Sequence, residues 1–410
     1  MADEKVVGIL VGRENTFPQA FIDRVNSKDQ GVRAEFCKLG GTRMDEPMPY
    51  SVIVDRISHE VPYFRSYLKK AVLDGCVVIN NPFWWCADDK FFECCQAVKL
   101  GVAVPRTVVL PQKSYVEGVV ADSLRNLTYP MDWNLLAEYV GFPAFMKPFV
   151  GGGWKSVYKV HSVEELIWCF DQTGELGMIL QEGIEFEKYA RCICLGQSNI
   201  NVIRYEPGNP FHMRYVPDDN FFGDELRTRI ERDARTLVGA LGYDMDTCEF
   251  AVRDGIPYAI DWLNPACDMD YYSITPTYFE WCVENMANLV IERATNGYTL
   301  GANYRWDRFL NAAPPPVGMP VKDWTEFAHE DVVGMHQEAA GAKKAQSAPS
   351  ASAGGSDSSK NKGASQGDST GKAAAAGPEL GAGGVPESRV MPSDGGPSIT
   401  QPVPDAEITP

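Results

Sequence analysis

Two lysines flank a run of glycines in residues 142–160, FPAFMKPFVGGGWKSVYKV. Phe145, Lys147 and Phe149 alternate with Met146 and Pro148, which places Lys147 near the end of a β-strand. Gly151, Gly152 and Gly153 free the backbone to take positive φ and to approach a ligand closely. Amides of such a loop can cradle phosphate oxygens, and Lys147 and Lys155 add positive charge. The Lys155-Ser156 pair that follows the glycines leads into an alternating strand and not into a helix, so the segment is not a P-loop. Residues 246–270, DTCEFAVRDGIPYAIDWLNPACDMD followed downstream by a helix, carry the complementary chemistry. Glu249 lies on one short strand, Asp254-Gly255 signals a hairpin turn, and Asp261 and Asn264 close the next strand. Paired strands bring these oxygen donors toward one point, a set suited to Mg²⁺, which keeps phosphate oxygens and water in its shell. A plain glycine hairpin with exposed lysines, and a strand pair with solvated acids at its rim, are the competing uses of the same residues.

Lysine, glycine loop and acid–acid–Asn cluster, in this order, resemble the ATP-grasp superfamily, and most of all its glutathione-synthetase and ribosomal-protein-S6-modification type of carboxylate–amine ligase. The resemblance spans roughly residues 5–300. It implies ATP and one or two Mg²⁺ ions, with Mn²⁺ as a substitute, and assigns Glu249, Asp261 and Asn264 to the metal. Asp261 and Asn264 are separated by one residue more than in the commonest Glu-x-Asn form. An Asp-Lys pair opening a helix before a Gly-Val-x-Val-Pro turn supplies a nucleotide-binding lysine in such ligases, and Lys90 matches that place. Glu182 and Ile184 match the hinge that contacts adenine; Glu187, with Glu185 close behind, matches the acid that binds ribose. Arg204 stands where similar ligases turn an arginine to the γ-phosphate, with Arg191 as competitor.

These residues need elements to hold them. Apolar runs at residues 6–11, 32–37, 51–54 and 77–80 alternate with helical segments at 18–26 and 63–73, which predicts a parallel open sheet. Ligands of such sheets bind beyond the carboxyl ends of the strands. Arg13, Glu14, Arg56 and Ser58 fall on that edge, and Arg13 and Arg56 are candidates for two-pronged binding of a substrate carboxylate. A helix opens at Asp88-Asp89-Lys90, a strand runs over 102–110, and helices cover 133–139 and 163–172, the latter behind a Ser162–Glu165 capping box. Residues 178–182 form a strand, and 190–195 and 201–205 a strand pair around Gly196-Gln197. Asp224 caps a helix over 225–241, and a final helix covers 277–295.

Composition sets the outer limits. The chain of 410 residues carries a net charge of −17, which speaks against nucleic-acid and anionic-membrane partners, because phosphate contacts need a basic face. Its eleven cysteines lie between Cys37 and Cys282 without a CxxC pair, the pattern of free thiols in a reducing cytoplasm. The charged opening MADEKVVGIL is unlike a signal peptide, and no apolar run reaches the roughly 20 residues of a membrane span. From residue 312 the chain turns to Pro, Ala, Gly and Ser, a linker and tail too poor in large apolar groups to fold, apart from a short docking helix over 323–333.

The expectation is an α/β protein of α+β lobes with the ATP-grasp fold. A Rossmann-like substrate-side domain covers 1–85, a lobe with the glycine-loop lid 86–184, a metal-bearing lobe 185–311, and a linker with a disordered tail 312–410. Its expected activity is ATP-dependent joining of a small-molecule acid to an amine through an acylphosphate, in the cytoplasm; dimers are common among the ligases it resembles, which makes a homodimer one assembly open to it, while the sequence itself does not set the oligomeric state. A small-molecule kinase and a non-catalytic nucleotide sensor are the rivals.

Overall fold

In the computed structural model, residues 4–84, 89–151 and 155–297 are described. Gly152, Gly153, the linker, the helix expected at 323–333 and the expected tail lie outside the described residues. Strands β1 (Lys5–Leu10), β2 (Val32–Phe36), β3 (Val52–Asp55) and β4 (Val77–Ile79) pair in parallel in the order β2-β1-β3-β4. Their near-continuous apolar sequence follows from cover on both faces. Helix α1 (Phe17–Ser27) lays Phe17, Phe21 and Val25 on one face, and α2 (Pro62–Leu73) lays Leu68 and Val72 on the other. Each of these helices carries a proline in its first two positions, where the missing N–H has no partner to lose. Phe17 and Phe21 are wholly buried, which stabilises the fold by about 1.5–3 kcal/mol each.

The second sheet is antiparallel, in the order β5-β8-β6-β7: β5 (Thr107–Leu110), β6 (Ala144–Pro148), β7 (Tyr158–Val160) and β8 (Met178–Glu182). The strand predicted over 102–110 is shorter because residues 102–106 make no ladder. Met146, Leu180 and Met178 face α4 (Trp133–Val140) and α5 (Val163–Phe170). Lys147 and Gln181, of opposite parity, face the other way. Helix α3 (Lys90–Lys99) is capped by the Asp89 carboxylate, which accepts from the Phe92 amide at 2.7 Å.

The third sheet, β11-β10-β9-β12-β13, is also antiparallel and contains β9 (Lys188–Leu195), β10 (Asn199–Tyr205), β11 (Tyr215–Val216), β12 (Met245–Arg253) and β13 (Ile256–Asp261). The β12–β13 turn is the expected Asp254-Gly255, both residues at positive φ. One face packs Cys192, Phe250 and Cys248 on α6 (Asp224–Leu241); the other packs Ile193, Ile203 and Met245 on α7 (Tyr271–Asn296). Asp224 is the first helical residue and not the cap; Gly223 holds that place. Helix α7 breaks at Thr275, φ 72°, before Pro276, so its regular run begins where the sequence predicts. Among the described residues no helix is long and apolar enough to cross a membrane.

Candidate functional site

Glu249 on β12 and Asp261 on β13 stand opposite one another. The ladder then slips, with Phe250 paired to Ala259, so Ile260 is an extra residue in a β-bulge. The bulge leaves the Ile260 carbonyl facing Lys147, whose Nζ lies 3.4 Å away. Lys90, at the head of α3, closes the group from another side. Its Nζ lies 3.8 Å from Asp261 Oδ1 and donates to the Gly151 carbonyl at 2.9 Å, while its amide bonds the Phe149 carbonyl at 3.3 Å. The glycine loop therefore starts against α3, with Gly151 at φ 85°, a conformation open to glycine and costly for residues with a Cβ. Lys155, at the far side of the loop, is exposed.

The electrostatics are those of a site arranged for an anion. Burial alone would raise the Asp261 carboxyl. The Lys90 and Lys147 ammonium groups, with the Leu263 amide, outweigh it and hold Asp261 below the usual carboxylate range. Lys147 is pushed down by burial and by its neighbour Lys90, against the pull of Asp261. The Asp261 side chain keeps 39 % of its surface exposed, so a ligand can reach it. Two ammonium groups converge on one carboxylate there, and a polyphosphate would balance the excess positive charge.

Glu249 is oriented from its own sheet. Arg191 Nη1 donates to Oε1 at 2.7 Å and the Tyr189 hydroxyl donates to Oε2 at 2.5 Å. Arg191 rests over the rings of Tyr205 and Tyr215, at 5.3 and 5.8 Å from their centroids, and its Nε has no partner. Asn264 is fixed through its backbone. Its amide donates to Asp246 Oδ1 at 2.8 Å, as does that of Thr247, and Asp246 Oδ2 is buried and unpartnered. Among the described residues no three His, Cys, Asp or Glu side chains form a closed metal cage. A Glu249–Asp261 pair supplemented by an amide oxygen of Asn264 fits an ion that takes the rest of its shell from phosphate and water.

At the hinge, Glu182 accepts from Arg106 Nε at 3.0 Å and Arg253 Nη1 at 3.1 Å. Burial would raise its carboxyl, but these two guanidinium groups hold it low. Ile184 packs half-buried on the same core as Ile260. Glu187 is exposed, with Oε1 3.3 Å from the Asp254 amide at the hairpin tip.

Four of the expected residues have other surroundings than the sequence suggests. Arg204 pairs across the sheet with Ala190, on the α6 side, where it binds Glu206 and Asp218 and stacks 4.2 Å above Phe221. Arg191, paired with Ile203 and Glu249, lies on the face of Glu249 instead. Arg56 is no open carboxylate clamp: it is 1 % exposed, and each of its three guanidinium nitrogens already has a partner, in Glu14, Met245 and the Cys267 carbonyl. The chain approaches it so closely that a Cβ on Gly12 would stand 2.4 Å from the Arg56 carbonyl oxygen. Arg13 is exposed and paired with Glu60 at 3.0 Å. Ser58 is buried, bonded to Asp55, and lines a small pocket with Asp55, His59, Asn80 and Pro265.

Sequence reasoning missed Asp246, Tyr189, Arg106 and Arg253. Arg191 was visible as an alternative. Asp246 carries no local signal, because its partner Asn264 is 18 residues away.

No protein-family model matches the chain. A D-alanine–D-alanine ligase of Polynucleobacter asymbioticus (strain DSM 18221 / CIP 109841 / QLW-P1DMWA-1) is 23 % identical over 191 residues, 42 % of this chain and 56 % of that ligase. The chain thus spans little more than half the length of the curated relative it matches. The solved structure of the VanG D-Ala:D-Ser ligase of Enterococcus faecalis covers 71 % of this chain and 99 % of its own at a TM-score of 0.51 and 13 % identity. A RimK-domain ATP-grasp protein of Sphaerobacter thermophilus DSM 20745 covers 70 % of this chain and 99 % of its own at a TM-score of 0.49 and 13 % identity. With two mixed lobes meeting at a lysine–carboxylate cluster behind a parallel sheet, the chain has the ATP-grasp fold.

Proposed function

We propose that this protein is an ATP-dependent carboxylate–amine ligase of cytoplasmic small molecules. The observation that carries the reading is the convergence of Lys90 and Lys147 on Asp261, itself opposite Glu249. Lys90, Lys147 and Lys155, with the backbone of Gly151, Gly152 and Gly153, hold the triphosphate. Glu182 and Ile184 border the adenine and Glu187 the ribose. Mg²⁺ or Mn²⁺, one or two ions on Glu249, Asp261 and Asn264, supplies charge neutralisation to the phosphates. Arg191 takes the γ-phosphate-facing role first expected of Arg204, because it shares the face of Glu249.

The acid lies toward the Ser58 pocket and Arg13 at the strand ends. Its carboxylate oxygen attacks the γ-phosphorus, the bond to the β-phosphate oxygen breaks, and ADP leaves. The amine lone pair then attacks the acyl carbon of the acylphosphate, phosphate departs, and the nitrogen loses a proton. No protein nucleophile is needed; the chain positions the reactants and offsets charge. A screen of acid–amine pairs for phosphate release tests the reading, with Asp261→Ala as control. Release that needs both partners and fails in the variant supports it. Release with a single phospho-product indicates a kinase, and tight ATP binding without turnover a sensor; either outcome overturns it.

A further inference from the structure

The N-terminal sheet grips the metal-bearing lobe at two points. Just past β3, Arg56 donates from Nη2 to the Cys267 carbonyl at 2.6 Å and from Nη1 to Met245 Sδ at 3.3 Å. Its Nε is held by Glu14 Oε1 at 2.5 Å, and the guanidinium lies 5.3 Å from the Phe17 ring centroid. Just past β4, Asn80 accepts on Oδ1 from the amides of Asp244 and Met245, both at 2.9 Å. Its Nδ2 donates to the Met245 carbonyl at 2.6 Å and to that of Pro265 at 3.5 Å. Both side chains are buried.

Arg56 and Asn80 therefore hold the same two segments: the start of β12, and residues 265–267 directly after Asn264. Asp246, the neighbour of Met245, fixes the Asn264 amide from within. Asn80 and Pro265 also wall the pocket that contains Ser58 and His59. One grip thus touches both the pocket and the backbone that aims Asn264. Every nitrogen of Arg56 and both side-chain polar atoms of Asn80 have a partner, and buried groups paired in this way define geometry, because an unpaired one carries its full desolvation penalty.

We propose that Arg56 and Asn80 are positioning residues that set Asn264 for the metal and couple the Ser58–His59 pocket to the metal–nucleotide site. The inference rests on the metal assignment above. A purely structural grip would weaken all ligands alike; this one is specific to metal-assisted binding.

The test measures calorimetric binding of the non-hydrolysable analogue AMP-PNP, with and without Mg²⁺, to wild type, Asn80→Ser and Arg56→Lys. Wild type gains affinity from Mg²⁺. In both variants that gain falls at least fivefold while metal-free affinity changes less than twofold. A wild-type-sized gain in either folded variant, or an equal loss with and without metal, overturns the proposal. Should neither variant fold, hydrogen exchange on wild type decides. Mg²⁺ with the analogue slows exchange of the Asp244 and Met245 amides that Asn80 holds, and unchanged exchange there overturns the coupling. Wild type without metal-assisted analogue binding overturns the nucleotide reading as well, which separates the two failures.

Discussion

Lys90 Nζ lies 3.8 Å from Asp261 Oδ1, close enough to lower the acid and too far for a tight bond, while its hydrogen bond goes to the Gly151 carbonyl at 2.9 Å. Lys90 therefore touches the glycine loop and the β12–β13 hairpin at once. A phosphate oxygen entering between them offers the ammonium a charged acceptor in place of a neutral carbonyl, and charge-assisted bonds are roughly twice as strong.

Asp261→Asn keeps the shape of the side chain and removes its charge. Turnover falls by about 10²-fold or more, the scale on which one transition-state electrostatic contact acts. Steady-state kinetics against Mg²⁺ concentration show the loss, together with a weakened metal response.

Arg191 and Arg204 separate cleanly. Arg191→Met leaves the half-buried Glu249 carboxylate with only its Tyr189 donor, and costs about 1–3 kcal/mol of stability as well as about 10²-fold in turnover. Arg204→Ala removes exposed ion pairs on the α6 side and shifts stability by about 0.5 kcal/mol or less, with turnover near wild type. Paired denaturation curves and kinetic assays distinguish the two.

Glu93 gives a pH signature. Burial first, then the Asp261 charge, pushes its carboxyl up to about 10, against the pull of Lys90, and its Oε1 is buried without a partner. The folded chain holds this proton above the unfolded pKa, where the unfolded chain releases it. The contribution is fully present below the unfolded value of about 4.3 and is lost as pH rises toward about 10. Glu93→Gln needs no proton, so melting temperature rises at pH 8 relative to wild type, and the difference vanishes near pH 4. An equal shift at both pH values refutes this account.

The hinge provides a fourth test. Glu182→Gln weakens two charge-assisted bonds, to Arg106 and Arg253, without changing size. KM for ATP rises several-fold with a smaller change in kcat, measured at saturating acid and amine.

Local signals carried much of this into the sequence. Alternation placed Lys147 on its strand, and the Asp254-Gly255 turn paired Glu249 with Asp261. The buried pairing of Arg56 was not legible because its partners Met245 and Cys267 lie 189 and 211 residues away, and no local pattern reports a contact of that range. The choice between Arg191 and Arg204 depended on strand register, where one step exchanges the faces of a sheet.

Ile260 turns that rule of parity to use. In an unbroken ladder Ile260 would stand opposite Glu249, and Asp261 would fall beside Cys248 and look toward α6. The inserted residue resets the phase of the strand by one step. The two acids meet because of a single supernumerary link in the backbone, so the chemistry of this cleft depends on how many residues precede the acid as much as on the acid itself.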